Sequence, residues 1–287
     1  MTDSSPSYHV LSVEVPAPAA AESADWLREN IGVEPVEVAK PGAPRVYLEC
    51  YFEDETAALL AQAAVEAGLD GARCSMRFCP ARDWTTFWRH HFKPHAVGRR
   101  IWIFPDWDPA PPPEGRTILL RVNPGLSFGT GEHFTTRFCL EAMDGLFEQG
   151  VPTSVFDAGC GSAILAIAAH KLGCRDILAV DHDPLSVLSA GENLALNAIP
   201  SGGIDVRQMD LLMEWPARSF DHVYANLFDE MLIQLAPRLA EATGRFLVTT
   251  GIRETMGDAV CAALMAQGLN EIRRDGDGEW CGMVFSR

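Results

Sequence analysis

Three acidic residues close successive β-like runs in the second half of the chain: Asp157 in SVFDAG, Asp181 in DILAVD and Asp210 in IDVRQMD. Asp157 leads directly into DAGCGSAI, where Gly159 and Gly161 form a strand-to-helix turn that lets backbone approach a ligand closely. A diphosphate-binding turn has a third glycine where this one has Ile164, and the Asp157 carboxylate would oppose a nearby pyrophosphate. A cationic ligand tolerates that carboxylate. S-adenosylmethionine, with an α-ammonium, a sulfonium and no phosphate, is such a ligand. Asp181 stands about 20 residues beyond the glycines, where a carboxylate binds ribose hydroxyls. Asp210 is suited to an adenine amino group, and Asn226 follows a fourth run in YANL. Taken singly, each is ordinary, since an Asp after a strand is as often a helix cap or a solvated charge. At the ends of successive strands they point together to an adenosylmethionine-binding domain.

The stretch NPGLSFGTGEHFTTRF, residues 123–138, is a second candidate. Its glycines, His133, Thr135 and Thr136 precede an apolar, helix-like segment. The residues alone allow a phosphate cradle, a metal site or a plain turn. In HHFKPH, His91 and His95 are four apart, as a helical metal pair would be. Pro94 interrupts that helix and no HExxH-type base is present, so no metal is expected. Cys160, inside the glycine turn, lacks a recognisable His partner and reads as a small buried filler. Trp84, Trp88, Trp102 and Trp107 offer either an acceptor-stacking surface or packing between domains, and packing is the expectation.

These residues need elements to hold them. The 287 residues allow one large domain and a smaller one, and 47% apolar with 22% charged residues is ordinary for a soluble globular chain. No apolar run reaches membrane-spanning length, and the N-terminus has no basic segment ahead of an apolar one. Eight scattered cysteines without a CxxC pair suit reduced thiols in a cytoplasmic protein. A net charge of −16 argues against nucleic acid and for encounter with a basic protein or amine, although many soluble proteins are simply acidic. A monomer is expected.

Residues 1–80 read β-α-β-β-α-β, a small ferredoxin-like α+β domain, with Asp54 capping its second helix and Gly68 beyond that helix's end. A linker is expected over 81–98. The remainder, 99–287, opens with RRIWIF and TILLRV, expected as a hairpin-like pair across the proline-rich DPAPPPEG. From residue 154 strands and helices alternate, which predicts a doubly wound, Rossmann-like parallel sheet of the α/β class. Two β-like runs around DGDG then predict a terminal antiparallel hairpin, which suits a methyltransferase sheet better than a dehydrogenase sheet.

With these motifs in place, the sequence resembles the bacterial methyltransferases that modify large-subunit ribosomal protein eleven, over nearly its whole length. NPGLSFGTGEHFTT is similar to that family's D-P-G-L-A-F-G-T-G-T-H-P-T-T loop, and DAGCGSAILAIAAHKLG to its D-x-G-C-G-S-G-I-L-A-I-A-A motif. ANLF stands where the family has A-N-I-L. The resemblance implies that the loop walls the methionine end of the cofactor, and that Thr136, Gly159, Asp181 and Asn226 contact it. It also implies that the N-terminal module recognises the ribosomal substrate. The chain departs from the pattern at Glu132, Phe134 and Ala163, which replace a threonine, a proline and a glycine. An acceptor lysine is only about 0.04% neutral at pH 7, so it must be desolvated and held in line. Asn226 is the candidate for aligning it through an amide or backbone oxygen, and no residue stands out as a dedicated base. Other readings are a lysine methyltransferase acting on another protein, such as the electron-transfer flavoprotein β subunit, a dinucleotide-dependent oxidoreductase, and a cofactor-binding regulator without turnover.

Overall fold

Apolar residues recur at alternate positions from Leu11 to Val15 and from Val46 to Phe52, the period of strands with one buried face. In the computed structural model, which describes residues 8–33, 35–38, 44–52, 54–69, 71–79, 93–105, 107–108, 111–122, 131 and 133–287, both runs are strands. The chain divides into two compact units, Met1–His91 and Phe92–Arg287.

The first unit contains β1 (Tyr8–Pro16), α1 (Ala20–Ile31), β2 (Val36–Val38), β3 (Arg45–Phe52), α2 (Glu55–Gly68) and β4 (Arg73–Cys79). The sheet order is β2-β3-β1-β4 with every pairing antiparallel, the ferredoxin-like arrangement expected. Leu11, Val13 and Val15 pack with Val46, Leu48 and Cys50 against Leu27 of α1 and Ala58, Ala61 and Val65 of α2. Asp54 caps α2 by accepting the Ala57 N–H at 2.9 Å. Gly68, however, lies within the last turn of α2 rather than beyond it. A Cβ there would sit 2.4 Å from the Trp26 ring, so its role is close helix approach and not a left-handed cap.

The second unit opens with β5 (His95–Val97), β6 (Ile101–Pro105) and β7 (Ile118–Val122). Here an expectation is corrected: β6 and β7 are parallel, in register from Ile101↔Ile118 to Pro105↔Val122, and do not form a hairpin. The proline-rich connection is long enough to carry the chain back to the start of β6, where the amides of Thr117 and Ile118 both donate to Arg100 O at 2.9 Å. Asn197 then acts as a strand partner for β7. Its Oδ1 accepts from Arg121 N at 2.9 Å and its Nδ2 donates to Arg121 O at 2.7 Å.

After α3 (Phe134–Glu148) come β8 (Ser154–Ala158), α4 (Ile164–Lys171), β9 (Asp176–Asp181), α5 (Pro184–Leu196), β10 (Asp205–Gln208), β11 (Phe220–Asn226), α6 (Asp229–Ala242), β12 (Thr243–Arg253), α7 (Gly257–Met265), β13 (Asn270–Gly276) and β14 (Trp280–Ser286). The seven-stranded order is β10-β9-β8-β11-β12-β14-β13. The first five strands are parallel, and β14 runs antiparallel between β12 and β13. This is the doubly wound sheet with the terminal hairpin that the sequence predicts. Asp277 Oδ1 closes the hairpin turn by accepting from the amides of Glu279 and Trp280 at 3.1 and 2.8 Å.

Alternation along the central strands gives each face its own core. Val155 and Tyr224 pack with Phe138, Met143 and Ile164 on one side, while Phe156, Val223 and Ala225 pack with Leu232, Leu235 and Leu239 on the other. The buried carboxylate of Asp144 docks α3 onto the turn before β6, accepting from Arg99 N at 2.6 Å, Arg100 N at 3.1 Å and Arg100 Nε at 2.7 Å. Among the described residues, no helix is long and apolar enough to cross a membrane.

Candidate functional site

Strand order reverses between β8 and β11, so the crevice beyond their carboxyl ends is where an open α/β sheet receives a ligand. Sequence places Asp157, Gly159 and Gly161 there from β8, Asp181 from β9, Asp210 beyond β10 and Asn226 from β11.

The glycine turn is committed to its own fold. The amides of Gly159 and Cys160 both donate to Val180 O, at 2.9 and 2.8 Å, and that of Ala163 to Cys160 O at 2.7 Å. The next amide along, Gly161 N–H, donates to Asp181 Oδ2 at 2.9 Å. Three successive N–H groups that a diphosphate would need are therefore already spoken for, one of them by a carboxylate. Gly159 has φ of 80°, a left-handed conformation that favours glycine, and a Cβ there would lie 2.5 Å from Leu227 Cδ2, so a larger residue would also displace that leucine. Ala163 holds φ of 59°, a left-handed conformation at the head of α4 that a glycine would adopt more easily. Asn193, buried on α5, donates to Ser162 O at 3.2 Å and fixes the outer side of the turn.

Asp181 is held by two bonds: besides Gly161, its Oδ1 accepts from Asp183 N at 3.0 Å. Its carbonyl accepts from Met209 N at 2.8 Å, which brings the segment carrying Asp210 alongside. Asp210 lies two residues past the end of β10 and is exposed. Its Oδ1 accepts from Leu212 N at 2.9 Å, making it the head of a turn with a carboxylate at the rim.

Asn226 ends β11 half-buried. Its Nδ2 donates to Thr135 Oγ1 at 3.4 Å, and Thr135 Oγ1 lies 2.8 Å from His133 Nδ1. Because the Thr135 amide also donates to that nitrogen, the hydroxyl proton points at the imidazole and leaves an oxygen lone pair for Asn226. The amide of Asn226 is thereby oriented with Oδ1 turned toward Gly251, where a Cβ would lie 3.1 Å from it and 2.5 Å from Leu227 O. Thr136, the next residue of α3, is buried, and its Oγ1 has no hydrogen-bond partner among the described residues. A buried hydroxyl left in that condition suits a polar ligand group.

Asp157 lies beneath the turn at 1% exposure. Its Oδ2 accepts the Ala166 N–H at 3.1 Å, and burial, opposed by that bond and reinforced by the nearby Asp181 charge, pushes its carboxyl up to about 7. Burial likewise raises the Cys160 thiol, beside Asp157 and Asp181, far above the range of a reactive cysteine.

Asp157, Gly161 and Asp181 adjoin one another, and Asn226 lies next in the chain to Leu227, whose side chain meets Gly159. Thr136 adjoins Asn226 through Thr135, and Asp210 adjoins Asp181 through Met209. Sequence reading missed Asn193, and although it singled out Thr135 in the glycine-rich stretch, it did not foresee the bond from Asn226. Residues 123–130 and Glu132 of the glycine-rich loop, and residues 80–92 with Trp84, Trp88, His90 and His91, lie outside the described residues. His95 is on strand β5, with Nδ1 3.1 Å from Lys93 O and Nε2 3.2 Å from Gly131 O, so the helical spacing considered for it does not apply.

A family model described as ribosomal protein L11 methyltransferase (PrmA) matches residues 8–287. The protein named ribosomal protein L11 methyltransferase from Myxococcus xanthus is 35% identical, over 99% of this chain and 100% of its own length. One from Pelobacter propionicus is 40% identical over 77% of this chain and 72% of its own. A crystal structure of ribosomal protein L11 methylase from Lactobacillus delbrueckii subsp. bulgaricus aligns with a TM-score of 0.62 and 31% identity, covering 68% of this chain and 99% of that one.

Proposed function

The chain belongs to the ribosomal protein L11 methyltransferase family, and on that premise we propose that it transfers methyl groups from S-adenosylmethionine to amines of ribosomal protein L11. The observation that carries this reading is the glycine turn. Its first three amides are consumed within the protein, and two carboxylates flank it, an environment made for a cation and hostile to a diphosphate.

The residues present fit the cofactor. Asp181 would hold the ribose hydroxyls with its remaining lone pairs, Asp210 the adenine amino group, and Thr136 Oγ1 the methionine end. Gly159 and Gly161 allow close approach, and Asp157 supplies negative charge beneath the turn. When bound, the sulfonium supplies an already activated methyl group.

The chain's remaining task is to present a neutral amine in line. Asn226 Oδ1, fixed through Thr135, would accept one amine N–H and leave the nitrogen lone pair directed at the methyl carbon. Exclusion of water lowers the amine's pKa, because a buried ammonium loses hydration. The net charge of −16 favours approach of a basic protein and supports a ribosomal substrate. The small domain expected over residues 1–80, within the first unit Met1–His91, is the proposed recognition module.

The test is transfer of labelled methyl from adenosylmethionine to purified L11. Label on lysine or the terminal amine, lost with Asn226→Ala, is expected. Absence of label at saturating donor would defeat the substrate assignment.

A further inference from the structure

Asp157 is surrounded by groups that cannot neutralise it. From β9 it faces Asp181, from the glycine turn Cys160, from α3 Cys139 and from β11 Tyr224. From α4 it receives one backbone N–H, that of Ala166. Among the described residues, every titratable neighbour is thus neutral or negative. A carboxylate at 1% exposure with one hydrogen bond, and no cation beside it among the described residues, is costly to ionise.

We infer that uptake of the cationic methyl donor is linked to release of a proton from Asp157, so that the site loads better as pH rises. The donor brings the positive charge that the protein leaves out, and the proton held by the ligand-free carboxyl departs to solvent. This rests on the methyltransferase reading above. A carboxyl titrating at about 7 is half protonated near neutrality, so the exchange falls within the physiological range. If the bound form is fully ionised, affinity follows the ionised fraction of the free protein. That fraction, and the affinity with it, rises about tenfold between pH 6 and pH 8.

The experiment is isothermal titration of the full chain with adenosylmethionine at pH 6, 7 and 8, in two buffers of different ionisation enthalpy, for wild type and Asp157→Asn. Asparagine keeps an oxygen for the Ala166 N–H. The donor's own α-ammonium titrates in both proteins, so their difference isolates Asp157. Wild type is expected to release about 0.5 more protons than the variant at pH 7 and about 0.9 more at pH 6. Its affinity should rise about tenfold from pH 6 to pH 8 relative to the variant. Infrared difference spectra of wild type alone, recorded on adding the donor, should show loss of a protonated-carboxyl band, and this readout survives if the variant fails to fold. Tight binding with equal proton release in both proteins, or with an unchanged carboxyl band, would overturn the linkage alone. Absence of binding at every pH would overturn the linkage and the methyltransferase reading together.

Discussion

Replacing Asp157 by asparagine should make the ligand-free protein gain stability relative to wild type as pH rises. The folded carboxyl titrates at about 7 against an ordinary value of 3.8, so the native state holds its proton where the unfolded chain has lost it. Below about pH 4 both states are protonated and the group is neutral in effect. Between 4 and 7 the unfolded state alone ionises, and stability falls by about 1.4 kcal/mol per pH unit. The full loss above pH 7 is on the order of 4 kcal/mol. Asparagine has no such dependence. Its amide NH2 group, left without an acceptor, costs about 1–3 kcal/mol at every pH, so the change between two pH values is the clean quantity. Urea unfolding followed by tryptophan fluorescence at pH 5.5 and pH 8, both above the isoelectric point near 4.8, measures it. The variant's stability relative to wild type should rise by about 2 kcal/mol between those pH values. A difference that stays flat, or falls, would show that Asp157 ionises normally in the folded protein and that the site is not short of positive charge.

His222 should produce the opposite pH dependence. It is fully buried with Nε2 unpartnered among the described residues, packed edge-on to Phe147 and Phe246, and desolvation pushes it down to about 4. The stability it secures is complete above pH 6.5 and is lost as pH falls toward 4, so His222→Phe should spare about 1.4 kcal/mol of acid destabilisation between pH 7.5 and 5.5 in urea unfolding. Asp144→Asn should lower stability at pH 7 by about 2–4 kcal/mol, because Arg100 and two amides lose a buried charged acceptor; a urea midpoint unchanged from wild type would refute this. Asp181→Ala should weaken adenosylmethionine binding by about 1.5–3 kcal/mol in calorimetry, through loss of the ribose acceptor and of the Gly161 tether. Gly159→Ala should weaken it too, since alanine is strained at a φ of 80° and its methyl would displace the Leu227 side chain beside the turn.

Local chemistry made much of this legible. Alternating apolar residues mark Arg45–Phe52, Asp54 announces its helix, and the rhythm from Ser154 onward fixes a doubly wound sheet with Asp181 and Asn226 at strand ends. What sequence could not supply is partnership across distance. The parallel pairing of β6 and β7 depends on how far the proline-rich connection travels, which β-propensity does not encode. Gly68 carries a helix-stop signal locally, yet answers to Trp26, forty-two positions earlier in the chain. Thr135 meets Asn226 across 91 residues, and Asp144 looks like one more solvated helix charge until Arg99 and Arg100 are seen against it. The raised Asp157 carboxyl follows from burial and from the Asp181 charge on another strand, working against the Ala166 amide, and no motif records that balance.

The most direct measurement on the central claim is calorimetry of the wild-type chain at pH 8 with adenosylmethionine and, separately, with NADH. Saturable one-to-one binding of adenosylmethionine and no detectable heat from NADH is the result predicted by a turn whose amides are already bonded. Tight NADH binding with none for adenosylmethionine would mean that the crevice accepts a diphosphate, and would contradict the account at its base.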